Sequence, residues 1–439
     1  MTSTPKIIVL DDDPTGSQTV HSCLLLTRWD IDTLRLGLRD ESPIFFILTN
    51  TRALTPEEAS NITREVCHNL KTAIAQENIQ DFLIVSRSDS TLRGHYPIET
   101  TVIAEELGPF DAHFLIPAFF EGGRITRDSI HYLIINNKPT PVAETEFAKD
   151  SVFSYHHSYL PDYVEEKTQG QIKAGEVERF LLSDIRQNSL ERLLKLTGNT
   201  CCCVDGETQT DLDKFATDIL TAAGQGKRYL FRSAASILTS LANLGPQPVA
   251  PENMAQYVRK QKPGAVIVGS HVKKTTQQLE QLLKQPGITG IEIDVSLLLQ
   301  DSPTQRQELL NQTLEKIHNL HNTGQTPVIY TSRQELTFDD VETRLKFGTD
   351  VSALLMDIVR GLPKDIGFLI SKGGITSNDV LSTGLSLTAA RLLGQILAGV
   401  SMVKTSAEHP LFPDLPVVLF PGNVGDENAL ATAYQRLKS

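Results

Sequence analysis

The sequence predicts an α/β protein of two α/β domains, with mostly parallel sheets facing a central cleft. Three observations carry this. Short apolar, β-rich runs alternate with helical stretches, which implies parallel strands covered by helices. The alternation begins twice, at residue 6 and again near residue 264, on either side of a proline-rich stretch. At 439 residues the chain is also long enough for two cores.

In chain order, residues 6–10 (KIIVL), 44–48 (IFFIL), 82–86 (FLIVS) and 113–117 (HFLIP) read as buried strands. Between the second and third lies a helix announced by Thr55-Pro56-Glu57-Glu58, with an N-cap, a proline at the first helical position and a glutamate closing a capping box. Residues 131–230 are looser. They hold the His156–His157 pair, an acidic stretch at 163–167 read as a solvated helix face, a helix-like run at 178–196 and a strand at TCCCVD. Residues 243–254 carry three prolines and little periodicity, which sets a linker at about 241–254 between domains at 1–240 and 255–439. Strands resume at 264–270, 290–295, 327–332, 367–374 and 416–423, with helical runs at 275–285, 304–320 and 349–360.

The composition excludes several classes. A formal charge of −12 argues against a nucleic-acid partner, although local cations and backbone N–H groups still permit a phosphate ligand. No apolar run approaches a membrane span, and the first strand starts too early for a signal peptide. The five cysteines show no metal-ligand spacing, so they read as buried thiols of a cytoplasmic protein. Sheet edges and helix faces are compatible with a homodimer.

Ligands of open parallel sheets bind beyond the carboxyl ends of the strands. Six polar or glycine-rich clusters sit there. Three lie in the first half: DDDPTGS, TNTR and SRSDSTLRG. Three lie in the second: GSHVKKTTQ, SKGGITSND and FPGNVGDEN. In 86–95, Asp89, Ser90 and Thr91 offer a carboxylate and hydroxyls, Arg87 and Arg93 offer donor forks for an anion, and Gly94 lets a backbone approach closely. That set suits a small polyhydroxylated acid, and Arg52 stands where it can reach the same anion. The N–H groups of Gly373, Gly374, Ile375 and Thr376 would form an anion cradle at a helix start. Gly422 and Gly425, flanking Asn423, repeat the device, and Gly269-Ser270 is a third. Together they point to nucleotide phosphates, although neither the P-loop nor the dinucleotide fingerprint is present.

The three aspartates 11–13 admit two registers. Asp11-x-Asp13-x-Thr15 resembles the first motif of haloacid-dehalogenase phosphatases, in which Asp11 would be the nucleophile and Asp13 the acid/base around Mg²⁺. The match stops at five residues. Asp12-Asp13-Pro14-Thr15-Gly16, taken with TNTR, DSTLRG, the segment 122–150, VGSHVKKTTQQ, SKGGITSNDV and FPGNVGDENAL, resembles the four-carbon acid sugar kinase family over most of the chain.

This resemblance implies an N-terminal acid-sugar-binding domain, a C-terminal nucleotide-binding domain, and ATP-dependent phosphorylation of acids such as threonate, erythronate or 3-oxo-tetronate. It assigns Asp12, with Asp13, Arg52 and Asp89–Gly94, to the acid sugar. It assigns Ser270, the Gly373–Thr376 loop and Gly422–Gly425 to ATP. Two departures stand out: GSHV replaces a GSCS-like run, and Phe420-Pro421 stands where members often carry a lysine. The expected mechanism places the phosphates and Mg²⁺ over the two glycine loops and the acid's carboxylate on Arg93 and Arg52. Asp12 or Asp89 orients the attacking hydroxyl and takes its proton. A nucleotide-binding sensor without turnover is the third reading.

Overall fold

The apolar runs of the first half are strands, buried almost end to end because parallel neighbours and helices cover both their faces. In this computed structural model, which describes residues 5–300, 302–333 and 341–438, the chain divides into two compact units, Met1–Pro246 and Gln247–Ser439.

The first unit contains β1 (Lys6–Asp11), β2 (Leu24–Leu26), β3 (Ile44–Leu48), β4 (Phe82–Arg87) and β5 (Ala112–Ile116). A three-stranded antiparallel sheet follows, β6 (Arg124–Arg127), β7 (Ile130–Ile135) and β8 (Lys138–Pro141). Then come β9 (Glu178–Phe180), β10 (Thr200–Val204) and β11 (Tyr229–Ser233). The main sheet of this unit runs β2-β3-β1-β4-β11-β5-β10-β9, and its pairings are parallel. Asp11 is in register with Leu48 on one side and Arg87 on the other, and Arg87 with Ser233. Four strands therefore end at one level, and their following loops share one edge.

The helix Pro56–Glu77 begins as its signals require. Thr55 caps Glu58 N–H while the Glu58 carboxylate accepts the Thr55 N–H at 2.9 Å. Ala59, Thr63, Val66, Cys67, Leu70 and Ala73 form its buried stripe. The helix-like run at 178–196 is corrected: it is the edge strand β9 and two short helices, Leu182–Gln187 and Leu190–Lys195. The chain is extended at Asn188, where Asx chemistry competes with helix continuation. The triplet Cys201–Cys203 lies in β10, and all five cysteines are buried free thiols.

The second unit contains β12 (Ala265–Val268), β13 (Ile288–Ile293), β14 (Thr326–Thr331), β15 (Leu369–Lys372), β16 (Ala389–Leu397), β17 (Val400–Lys404) and β18 (Pro416–Phe420). Its order is β13-β14-β12-β15-β18-β17-β16. The pairings are parallel as far as β18, after which the hairpin β16–β17 closes the edge antiparallel. Val266, Ile370, Val418 and Met402 pack with Leu430 and Tyr434 of the helix Ala429–Lys438 in its core. Among the described residues no helix is long and apolar enough to cross a membrane.

Candidate functional site

In the first unit the main chain stitches the strand ends together. Thr49 and Asn50 donate N–H groups to the Asp11 carbonyl at 2.9 and 3.3 Å, Asp12 donates to Arg87 O at 3.2 Å, and Ser88 donates to Ser233 O at 2.8 Å. Asp11, Asp12, Arg52, Ser88 and Asp89 are thereby fixed within a few residues of ladder-bonded strand.

Asp11 is fully buried, with Arg87 Nη1 at 3.3 Å from Oδ1. A Cβ on Gly16 would stand 2.0 Å from its carboxylate, so only glycine closes the DDPTG turn over it. Burial pushes the Asp11 carboxyl up to about 7, against the pull of Arg87. A group with its folded pKa raised this way contributes stability below its unfolded value near 3.9 and loses it as pH rises toward 7. Asp11→Asn is therefore expected to gain in Tm relative to wild type between pH 4.5 and 7.5. A difference in Tm that does not change with pH refutes this. A sealed carboxyl is also a poor nucleophile, which weighs against the phosphatase register.

Asp12 is held on both oxygens. Arg52 Nη2 reaches Oδ1 at 2.5 Å, Arg52 Nε reaches Oδ2 at 3.1 Å, and Ser88 Oγ donates to Oδ2 at 2.6 Å. Burial alone would raise its pKa, but Arg52, Arg232 and Arg87 outweigh it and keep the carboxylate ionised. Behind Ser88 stands Arg232, a residue the sequence reading missed. Its Nη2 donates to Ser88 Oγ at 2.7 Å, and its Nη1 to Ser86 Oγ at 2.8 Å and Glu99 Oε2 at 2.5 Å. Gly94, at φ +116°, passes so close that a Cβ would meet Ser88 Oγ at 2.4 Å and Arg232 Nη2 at 2.7 Å.

Asp89 caps no helix. Its Oδ2 accepts Thr91 N–H at 3.2 Å, the Thr91 hydroxyl, and Arg93 Nε at 2.9 Å. Among the described residues its Oδ1 has only Arg52 Nη1, at 3.7 Å. Burial raises the Asp89 pKa, but Arg93 and Arg52 overcome it and hold the carboxyl well below the usual range. Arg93 lies over the Phe147 ring with Asp150 at 3.5 Å, and its Nη2 donates no hydrogen bond among the described residues. Arg52 is committed to Asp12, with Asp13 Oδ2 at 3.6 Å from Nη1. Asp13 itself accepts Thr15 N–H at 2.8 Å.

The backbone of this loop is fixed from outside. Ser90 O takes His131 Nε2 at 2.7 Å, Thr91 O takes Tyr155 OH at 2.7 Å, and Leu92 O takes Tyr163 OH at 2.8 Å. Burial brings the His131 pKa down to about 4, so the ring is a neutral donor at Nε2, and Nδ1 faces Thr126 Oγ1 at 3.0 Å. The stretch 163–167 is thus corrected: Tyr163 and Val164 are buried, and Tyr163 is a strut rather than part of a solvated face. The three struts come from β7 and the segment that follows it; the sequence reading assigned none of them a role, although His131 lies in the segment 122–150 that carries part of the resemblance.

Arg124, at the start of β6, is the other missed cation. Its Nη1 donates to Gly122 O, its Nε is buried without a partner among the described residues, and it lies in the field of Asp89 and Arg93. Buried polar atoms are normally paired. Among the described residues, Asp11 Oδ2, Ser17 Oγ, Arg87 Nε, Arg124 Nε and Ser233 Oγ all lack partners in loops or strand ends of this one edge. Ser88, Asp89, Arg93, Arg232 and Ser233 line a small recess there.

In the second unit the loops after β12, β15 and β18 converge. A Cβ on Gly269 would stand 2.4 Å from Thr376 Oγ1, and one on Gly373, at φ +121°, would stand 3.1 Å from Ser270 Cβ. Gly422 lies 3.8 Å from Ser270 Oγ by the same measure. One expected donor is corrected: Gly373 N–H is already bonded to Phe420 O at 2.9 Å, because β15 and β18 pair up to Lys372 and Phe420. Gly374, Ile375 and Thr376 open a six-residue helix, and their N–H groups precede any intrahelical partner. Beside them is a pocket of about 480 Å³ whose wall includes Val295, Phe347, Val351, Leu355 and Met356, with Ile375 69% exposed at the glycine loop.

The carbonyls of the last loop are turned inward. Lys372 Nζ donates to Pro421 O at 2.5 Å and Gly422 O at 3.2 Å, and Lys274 Nζ to Asn423 O at 3.4 Å. Gln278 Nε2 donates to Val424 O at 3.0 Å and Asp426 O at 2.7 Å. None of the N–H groups of Gly422, Asn423, Val424 or Gly425 is bonded among the described residues.

Comparison with known proteins matches residues 7–241 to a sugar-binding N-terminal domain and residues 265–430 to a nucleotide-binding C-terminal domain. A D-erythronate kinase of Heliobacterium modesticaldum is 22% identical, covering 98% of this chain and 97% of that protein. A D-threonate kinase of Salmonella typhimurium is 23% identical over the same shares. Two solved structures share the fold. A Salmonella typhimurium LT2 protein provisionally described as a tRNA synthase has a TM-score of 0.71 at 18% identity, covering 98% of this chain and 99% of that one. A Haemophilus influenzae protein has a TM-score of 0.65 at 15% identity, covering 98% of this chain and 100% of that one.

Proposed function

The chain belongs to the four-carbon acid sugar kinase family, and from that premise we propose that it transfers the terminal phosphoryl group of ATP to a hydroxyl of a four-carbon acid such as threonate, erythronate or 3-oxo-tetronate. The observation that carries this reading is the pairing of two unused groups on one rigid loop. Among the described residues Asp89 Oδ1 accepts no hydrogen bond, with Arg52 Nη1 at 3.7 Å, and Arg93 Nη2 donates none. A hydroxy acid offers the complementary hydroxyl and carboxylate.

Asp89 rather than Asp12 takes the hydroxyl proton in this reading, because both Asp12 oxygens are occupied. A low carboxyl pKa suits the part. Phosphoryl transfer proceeds through a loose transition state, and the hydroxyl proton leaves late, so orientation counts for more than basicity. Arg93 takes the substrate carboxylate, with Arg124 Nε as its neighbour. Arg52 instead orients Asp12, which with Ser88 shapes the wall behind Asp89.

ATP binds the second unit in this account. The base lies in the apolar pocket, and the phosphates lie over the N–H groups of 374–376 and 422–425, with Ser270 between them. Mg²⁺ neutralises charge on the phosphates when bound. Among the described residues no three His, Cys, Asp or Glu side chains gather as a metal site.

Calorimetry tests the division of roles. Threonate or erythronate should bind wild type, and Arg93→Ala should weaken acid binding by at least tenfold while ATP affinity is unchanged. Equal acid affinity in both proteins would refute the assignment. Binding of ATP without any turnover across the C4 acids would favour the sensor reading.

A further inference from the structure

Lys372 ends β15, and its side chain is completely buried. Its ammonium rests on the carbonyls of Pro421 and Gly422 and over the Phe420 ring, 4.4 Å from its centroid. No carboxylate lies within ion-pair distance of it among the described residues. The charged group that faces it is another cation, Lys274, from the helix Lys273–Leu282. A buried charge without a counter-ion is unfavourable, so this arrangement fits a state in which an anion arrives from outside. The N–H groups of Gly422–Gly425, on the chain whose carbonyls Lys372 and Lys274 hold inward, are where that anion would sit.

We infer that Lys372 is a positioning residue for the nucleotide: its Nζ holds the 421–425 loop with N–H groups outward, and the amine takes up a proton from solvent to become an ammonium when the polyphosphate supplies the counter-charge. This rests on the reading that ATP binds the second unit. Burial, with the charge of Lys274 adding to it, brings the lysine down to about 7 before the ligand arrives. The sign follows. A nearby polyanion raises the lysine's pKa, so protons are absorbed on binding, and affinity falls as pH rises above 7.

The test is calorimetry of Mg·ATP binding to the whole wild-type protein between pH 7.5 and 9, above the range in which a phosphate itself titrates. It is run in two buffers of different ionisation enthalpy. Binding enthalpies that differ between buffers by up to one proton's worth, and an affinity that declines with pH, are expected. Lys372→Met should bind Mg·ATP at least tenfold more weakly, with affinity flat over this pH range and acid affinity unchanged. A merely structural lysine would leave wild-type binding independent of buffer and pH. That wild-type result would overturn the inference while leaving the nucleotide site intact, however the variant folds. A wild type that binds no nucleotide would overturn the site itself, and the inference with it.

Discussion

Asp89→Asn is expected to lower kcat by roughly 10²- to 10⁴-fold, the usual range for a positioned proton acceptor, with ATP affinity unchanged. Asparagine keeps an oxygen for Thr91 N–H but presents an amide where Oδ1 stood, so it cannot take the hydroxyl proton. The comparison with Asp12→Asn is the informative one. Asp12 faces Arg52 and Ser88 with both oxygens, so its loss should release the Arg52 clamp, raise KM for the acid and lower Tm. A wild-type kcat in Asp89→Asn, alongside a collapsed kcat and unchanged Tm in Asp12→Asn, would reverse the two roles.

Arg232→Met is expected to be the most destabilising single change in the first unit, at about 3–5 kcal/mol. Arg232 and Glu99 are 5% and 6% exposed at their side chains and 2.5 Å apart. Removing the arginine leaves the buried Glu99 carboxyl with Thr51 Oγ1, at 2.6 Å, as its one remaining side-chain partner among the described residues. The double variant Arg232→Met/Glu99→Met should recover most of that loss, since a buried pair replaced by apolar groups of similar volume is often neutral. It should not recover activity, because Ser88, which donates to Asp12, loses the arginine that orients it. Urea unfolding of the two variants tests the first statement and acid-dependent turnover the second. A single variant within about 1 kcal/mol of wild type would contradict the account.

Much of this was legible in the sequence because it is local. Continuous apolar runs in parallel strands, the Thr55 capping box and glycines at strand ends each follow from a few adjacent residues. Clusters after strands also pointed to one shared edge, because parallel topology sends those loops the same way. The supports were hidden. His131, Tyr155 and Tyr163 reach carbonyls 41 to 71 positions away in the chain, and although the segment 122–150 carries part of the resemblance, no local pattern gives these three side chains a role. Arg232 had a signal, a charge inside the apolar run YLFRS, but that strand was not separated from the looser region around it.

Lys372 is the sharper case. The resemblance marks Phe420-Pro421 only as a departure at the last glycine loop. The pairing of β15 with β18 puts Lys372 directly beside Phe420, a juxtaposition that reading along the chain does not show.

The central claim is acid-dependent phosphoryl transfer, and the most direct measurement is ADP release by the purified protein with Mg·ATP and individual C4 acids, with the product followed by ³¹P NMR. The account predicts ADP formation only when an acid is present, matched mole for mole by a new phosphate monoester. Steady ADP formation without acid, inorganic phosphate as the product, or release of phosphate from sugar phosphates in the absence of ATP would contradict it.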